Sequence, residues 1–310
     1  MIATAGVLAL LALALAGPVP ILLARAGWTR RSPASALLLW QSVAVAGGLS
    51  MIGAPLALGL APFGTDFGSA SRGAVAALAR EGVGALSAWS WAGIVTAGAL
   101  AAYLLAHLAL TVVQVQRHRR RHLALLELLS GPAPQAGARL LEDAAPVAYC
   151  LPRARRPLTV VSRGLLELLD ERELDAEIAH ERAHAEQRHD VLLVAFRAWR
   201  SALPGFPSAA LAERQVAQLV EMLADDRARR ATDERVLARA IVLAAPHPGA
   251  RLAGPVTGTL AGSAADGARV GRLLDGTLPL PIPMRFGAVA LAVALVGVPT
   301  LWLLLDAVLL

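Results

Sequence analysis

The chain has 310 residues, 56% of them hydrophobic and 17% charged, with a mean hydropathy of +0.56. Globular chains usually carry about 45–50% apolar and about 25% charged residues, so this balance excludes a disordered protein and argues against an ordinary soluble enzyme. One cysteine, Cys150, excludes an internal disulfide framework, and 29 arginines with no lysine, against 23 acids, leave a formal charge of +6 that suits nucleic acid or an anionic membrane surface.

The apolar excess is concentrated. No charge falls before Arg25, between Arg31 and Asp66, between Glu81 and Arg117, or between Arg285 and Asp306. A membrane-spanning helix needs about 20 mainly apolar residues, and all four runs are long enough. The expected spans are 3–24, 36–60, 89–113 and 286–306. The first run is read as a span and not as a signal peptide, because its arginines follow the run instead of preceding it. Four such runs in one chain also argue against buried helices of a soluble core. The first loop holds Arg25, Arg30 and Arg31 and no acid, while the third span ends in Arg117, Arg119, Arg120 and Arg121. The positive-inside rule then puts both in the cytoplasm and the N-terminus outside. The Arg117–Arg121 cluster fits lipid headgroups better than nucleic acid.

Residues 117–284 form a cytoplasmic insert. Leu123–Leu129 is expected to continue as a short helix from the membrane, and Gly131–Gly137 to turn. Val147–Leu151 and Leu158–Ser162 are β-rich and are expected to pair. Asp170 is placed to cap a helix, with Glu173 completing a capping box, and the helix runs on to Arg188 without Gly or Pro. A second helix over 191–203 is short and apolar and is expected at the membrane surface. Ser208 is expected to cap a third helix over 209–230, and a fourth covers 233–244. Residues 246–284 are rich in Gly and Pro and are expected to be a loose return to the membrane. The expected organisation is a membrane domain over 1–116, a compact polar domain over 117–246, a linker over 247–284 and a last span over 285–310.

The chemistry concentrates on the capped helix, at His180-Glu-Arg-Ala-His184. Residues four apart share a helical face, so two imidazoles can reach one metal ion, with Glu181 beside them. Zinc lowers the pKa of a coordinated water to near 7, and such a carboxylate can take the proton. The bland alternative is a charged helix face with solvated histidines. A catalytic zinc needs a third protein ligand. The other histidines of the insert are His118, His122, His189 and His247, and His189, five residues beyond His184, turns off the ligand face. Glu221 and Asp225 share a face of the third helix: one can ligate while the other takes the free N–H of a ligating histidine, or both are a solvated acidic face.

These residues carry a resemblance. His180–His184 followed by Arg188-His-Asp190, then Glu221-Met-Leu-Ala-Asp225, resembles the BlaR/MecR family of membrane zinc metallopeptidases, and more distantly the CAAX prenyl protease and HtpX family. Val147–Pro152 and Thr159–Leu165 resemble the same family. The resemblance implies a multi-pass α-helical membrane protein with four transmembrane helices and an inserted, mainly α (α+β), zincin-like metallopeptidase domain. It implies one catalytic zinc ion on His180, His184 and Glu221, Glu181 as general base, and Asp225 behind a ligating histidine.

The expected activity is a membrane zinc metalloendopeptidase of the cell membrane. Its expected partners are the lipid bilayer and a protein substrate, such as a transcriptional repressor of the BlaI/MecI type, with no direct contact to nucleic acid. The alternatives are a quality-control peptidase and a non-catalytic membrane scaffold. The chain ends at Leu310 without the sensor domain of the family's sensor members, which argues against direct β-lactam sensing. Leu158–Ser162 is the expected edge strand for an extended substrate, Cys150 an expected small buried residue, and His107 an expected packing residue within the third span.

Overall fold

The computed structural model describes residues 1–133, 138–151, 158–245, 263–275 and 279–308. The first apolar run makes two helices, α1 (Ile2–Ala16) and α2 (Pro18–Arg25), broken at Gly17 just before Pro18 and Pro20. Proline has no backbone N–H to continue the ladder, so it starts a new helix here. The short α3 (Trp28–Arg31) leads to α4 (Pro33–Leu60). Next come α5 (Phe67–Glu81), capped by Asp66, and α6 (Ala88–Leu129), capped by Ser87. Helix α6 is 42 residues long and runs through the arginine cluster without a break, so the expected short helix at 123–129 is its last two turns.

Among the described residues, three helical stretches are long and apolar enough to cross a membrane: Ile2–Arg25, Pro33–Phe63 and Ala88–Leu129. The last helix, α13 (Ile282–Val308), contributes a shorter apolar stretch, Ile282–Gly297. Two glycines set how α4 meets α6. A Cβ on Gly93 would stand 2.6 Å from the Pro55 carbonyl oxygen and 2.7 Å from the Gly59 nitrogen. Gly93→Leu must push the two helices apart, and overpacking of this kind costs about 1–3 kcal/mol. The expected result is a lower unfolding temperature in detergent, read by a thermal scan, while the unconstrained Gly98, with open space around it, should accept Ala without loss.

After α6 the chain makes a four-stranded sheet of β1 (Ser130–Pro132), β2 (Ala138–Leu141), β3 (Ala148–Leu151) and β4 (Leu158–Ser162), in the order β1-β2-β4-β3. The expected pair is present: β3 runs antiparallel to β4, with Cys150 opposite Thr159. The expected edge is not. Strand β4 also pairs with β2, in parallel, so Leu158–Ser162 is interior and β3 is the edge on that side. β4 is therefore flanked by hydrogen bonds on both sides, and Val160 and Val161 are buried. Of the turn expected at Gly131–Gly137, Gly131 and Pro132 instead belong to β1, and 134–137 lie outside the described residues, as do 152–157 between β3 and β4.

Helix α7 (Arg163–Leu168) leads to α8 (Glu171–Glu186). Asp170 accepts the Glu173 backbone N–H at 2.9 Å, and Glu173 accepts that of Asp170 at 3.0 Å. This is the expected capping box, which satisfies two of the orphan donors of the helix start. Then follow α9 (His189–Ala202), α10 (Pro207–Ala228), α11 (Glu234–Ala244) and α12 (Ser263–Leu274). Ser208 does not cap α10; its hydroxyl donates to the Ala16 carbonyl at the end of α1, and Phe206 holds the cap position. Helix α9 buries one face, leaving Val191 on the other exposed. Its apolar residues Leu193 and Phe196 join Trp40 and Leu37 of α4 and Val216 and Val220 of α10 in one buried cluster. Tyr103 of α6 donates to the Ala202 carbonyl at 2.9 Å, and His107 meets Ser201 at 3.0 Å. The stretch expected to be a loose return holds α12, whose Leu273 is buried with Ala176 of α8 and Leu237 and Ile241 of α11. Residues 246–262 of that stretch lie outside the described residues.

Candidate metal centre

Helix α8 carries His180, Glu181 and His184, and α10 carries Glu221 and Asp225. Because α8 and α10 pack against each other, these faces meet. His180 Nε2 and His184 Nε2 are 3.1 Å apart. Glu221 Oε2 lies 3.3 Å from His180 Nε2, and Glu221 Oε1 lies 3.5 Å from His184 Nε2. Bonds of about 2.0–2.1 Å to a tetrahedral zinc put ligand atoms about 3.3 Å apart. The two nitrogens and the nearer carboxylate oxygen of each pair are thus close to that separation, and one ligand atom from each of the three residues lies within 4.8 Å of the others. These residues are the one group of three or more potential ligands among the described residues. Two nitrogen lone pairs and a carboxylate gathered this closely, and mostly buried, fit a divalent cation.

Asp225 stands behind His180, with Oδ1 3.0 Å from Nδ1. The pair is close but poorly aligned, and Nδ1 remains a buried atom without a well-directed partner. His118 and His122 stay on α6, where His122 meets the Tyr149 hydroxyl at 2.8 Å. His247 lies outside the described residues. Cys150, on the edge strand β3, is half-buried, and burial pushes its thiol up to about 11.

Sequence reasoning missed Arg269 of α12. Its guanidinium donates to both carboxylate oxygens of Asp225, at 2.9 and 2.8 Å, and its side chain is 10% exposed. It also lies 3.3 Å from Glu221 Oε2 and 3.3 Å from His180 Nε2. One turn on, Arg272 donates to both oxygens of Asp226, at 2.8 and 2.7 Å, and to the Arg30 carbonyl at 2.8 Å. Two arginines three apart thus clamp two adjacent aspartates of α10. Pairing Arg269-x-x-Arg272 with Asp225-Asp226 is the only sequence signal, and it is weak, because charged pairs at such spacing usually mark a solvated face. Glu177, one turn before Glu181, was missed as well.

His189 does not join the three ligand atoms, in keeping with its sequence spacing. It is nonetheless 1% exposed, with Nδ1 3.0 Å from His184 Nδ1 and Nε2 2.8 Å from Gln187 Oε1. Arg188 makes this contact by ending α8 in a left-handed conformation at φ 50.

Burial and charge set the protonation pattern of the metal-free site. Burial alone would weaken His180 as a base, but the carboxylates of Asp225 and Glu221 reverse this and hold it up at about 10. Burial would likewise raise Glu221, yet His184, His180 and Arg269 keep it well below the usual carboxylate range. Asp225 is held at about 2 because Arg269 outweighs its burial. Glu181 is pushed up by burial, opposed by His184 and His180 and by a hydrogen bond from the Cys150 backbone N–H. Glu177 rises to about 7, again mainly by burial. His189 falls to about 3, from burial and the neighbouring His184, so it is neutral. A carboxylate poised upward beside two imidazoles is an arrangement that general-base chemistry can use.

No curated protein and no solved structure matches the chain. A family model does. The match covers little more than a third of the chain and includes all of α8 and Glu221, but stops one residue before Asp225. Residues 114–224 are similar to Peptidase family M48, which indicates a metallopeptidase.

Proposed function

We propose that the chain is a membrane zinc metalloendopeptidase, with the ion held by His180, His184 and Glu221. The observation that carries this is the convergence of His180 Nε2 and His184 Nε2, 3.1 Å apart, on the Glu221 carboxylate, whose two oxygens lie 3.3 and 3.5 Å from them, with Glu181 one residue from His180 on the same helix. When bound, the ion supplies Lewis acidity, polarising a peptide carbonyl and acidifying water. Asp225, 3.0 Å from His180 Nδ1, is the group that would accept the Nδ1–H once the ring aligns, leaving the Nε2 lone pair for the ion. Glu181 takes a proton from the attacking water and returns it to the leaving amine. The Cys150 N–H holds its carboxylate in place for both transfers. Strand β3, the edge next to α8, offers backbone groups to an extended substrate.

The arrangement of basic residues supports an insert on the cytoplasmic side and a fourth span within α13. The BlaR/MecR resemblance favours a regulatory substrate, such as a repressor of the BlaI/MecI type. A quality-control peptidase is the second enzyme reading, favoured by the match to family M48, which carries no regulatory label of its own. Protein fragments that accumulate in cells only with an intact Glu181 would tell the two apart.

Metal dependence tests the site directly. The purified protein should bind one zinc ion, lose proteolysis in a strong chelator, and regain it on zinc addition. Binding must displace the proton on His180, so apparent zinc affinity should rise with pH, by about tenfold per unit for one proton released. Zinc binding that is absent, or unchanged in His184→Ala, would leave a scaffold as the better reading.

A further inference from the structure

We infer that His189 is a positioning residue for the metal centre: it accepts the Nδ1–H of His184 and so presents His184 Nε2 to the ion. The inference rests on the zinc reading above. If His184 ligates through Nε2, that nitrogen must offer its lone pair, and the one proton of the neutral ring must sit on Nδ1. Among the described residues, its hydrogen-bond partner is His189 Nδ1, at 3.0 Å. His189 must then carry its own proton on Nε2, where Gln187 Oε1 accepts it at 2.8 Å. One hydrogen-bond chain, Gln187–His189–His184, therefore permits a single set of tautomers.

The two ligating imidazoles are thus supported in different ways. His180 has a charged partner, Asp225, itself held by Arg269. His184 has a neutral one. The backbone is bent to provide it. Arg188 is the one non-glycine residue with positive φ among the described residues, a conformation that costs an L-residue about 1–2 kcal/mol. It reverses the chain so that the first residue of α9 returns over the end of α8. Strain retained at such a point is what a functional constraint looks like. His189 is also 1% exposed, so both of its ring nitrogens are buried polar atoms that require partners.

The test compares zinc affinity, by chelator competition in detergent, for wild type, His189→Leu, His189→Asn and Gln187→Leu. The Asn amide oxygen can reach the position of the imidazole Nδ1 and restore the acceptor, whereas Leu keeps bulk alone. Loss of such a partner costs roughly 10–100-fold in metal affinity. His189→Leu should show that loss, His189→Asn should recover most of it, and Gln187→Leu should weaken binding several-fold. Equal affinity in His189→Leu and wild type, or no recovery with Asn, overturns the inference. If His189→Leu fails to fold, ¹⁵N NMR of the zinc-loaded wild type decides. The inference requires the His189 proton on Nε2, and a proton on Nδ1 refutes it. A wild type that binds no zinc removes the metal-site reading itself, whereas a zinc-binding wild type with an indifferent His189 removes only this inference.

Discussion

Glu181→Gln should retain zinc and lose proteolysis, by about 10²–10⁴-fold in turnover, the range a positioned general base contributes. The substitution keeps size and the hydrogen bond from the Cys150 N–H, but an amide cannot take a proton. Zinc content should be unchanged because Glu181 is not among the three converging ligand atoms. Zinc quantification and turnover of a protein substrate, measured on the same preparation, check both halves. Wild-type turnover in the Gln variant would remove Glu181 from the mechanism, whereas loss of zinc would make it a ligand. The pH profile adds a sign. Burial raises the Glu181 carboxyl in the metal-free protein, and a base works only when deprotonated, so turnover should climb with pH on its acid side. Any turnover that remains in the Gln variant should lack that limb.

Arg269→Ala should be the most damaging single change to the stability of the insert. It leaves Asp225, 1% exposed, without the fork that neutralises it. Breaking a buried pair from one side costs about 3–5 kcal/mol, or roughly 10 °C in unfolding temperature for a unit of this size. Lysine should rescue only in part, because it supplies charge but not two parallel N–H donors. Acid dependence follows from the same pair. Asp225 is held at about 2, below its ordinary 3.8. Its contribution to stability is therefore complete above pH about 4 and is lost as pH falls through about 2. In Arg269→Ala the carboxyl loses this depression, so thermal scans at pH 7 and pH 3 should differ less than in wild type. An unchanged melting temperature in the variant at pH 7 would show that α12 is not clamped to α10.

Some of this organisation could be read along the chain and some could not. The capping box of Asp170 and Glu173, the i, i+4 histidines and the i, i+4 acids are local, and helical periodicity alone puts each pair on one face. Uncharged runs likewise mark three long apolar helices by composition. The break at Gly17 instead corrects the expected continuous span over 3–24, although the two prolines that cause it stand in plain sequence. The other missed features depend on residues far apart in sequence. Ser130-Gly-Pro132 looks like a turn and becomes a strand only because Ala138–Leu141 pairs with it. Leu158–Ser162 looks like an edge until β2 occupies its other side. Ser208 looks like a cap, but α1 offers its hydroxyl a carbonyl.

The candidate metal site divides in the same way. Residue types and spacing within α8 and α10 already put two histidines on one face of α8, with Glu181 beside them, and two acids on one face of α10. Which acid faces the histidine nitrogens, and which stands behind them, depends on the angle at which α10 crosses α8. That angle is set by packing, and no local pattern encodes it. Arg269 is drawn into the centre from a Gly-rich stretch 44 residues beyond Asp225, because a buried aspartate needs a counter-charge and α12 docks where it can supply one. On an ideal helix His189, five residues past His184, would turn off the ligand face, but α8 ends at Glu186 and Arg188 turns the chain back. Spacing predicts geometry only while the helix lasts, and the end of α8 is a tertiary event.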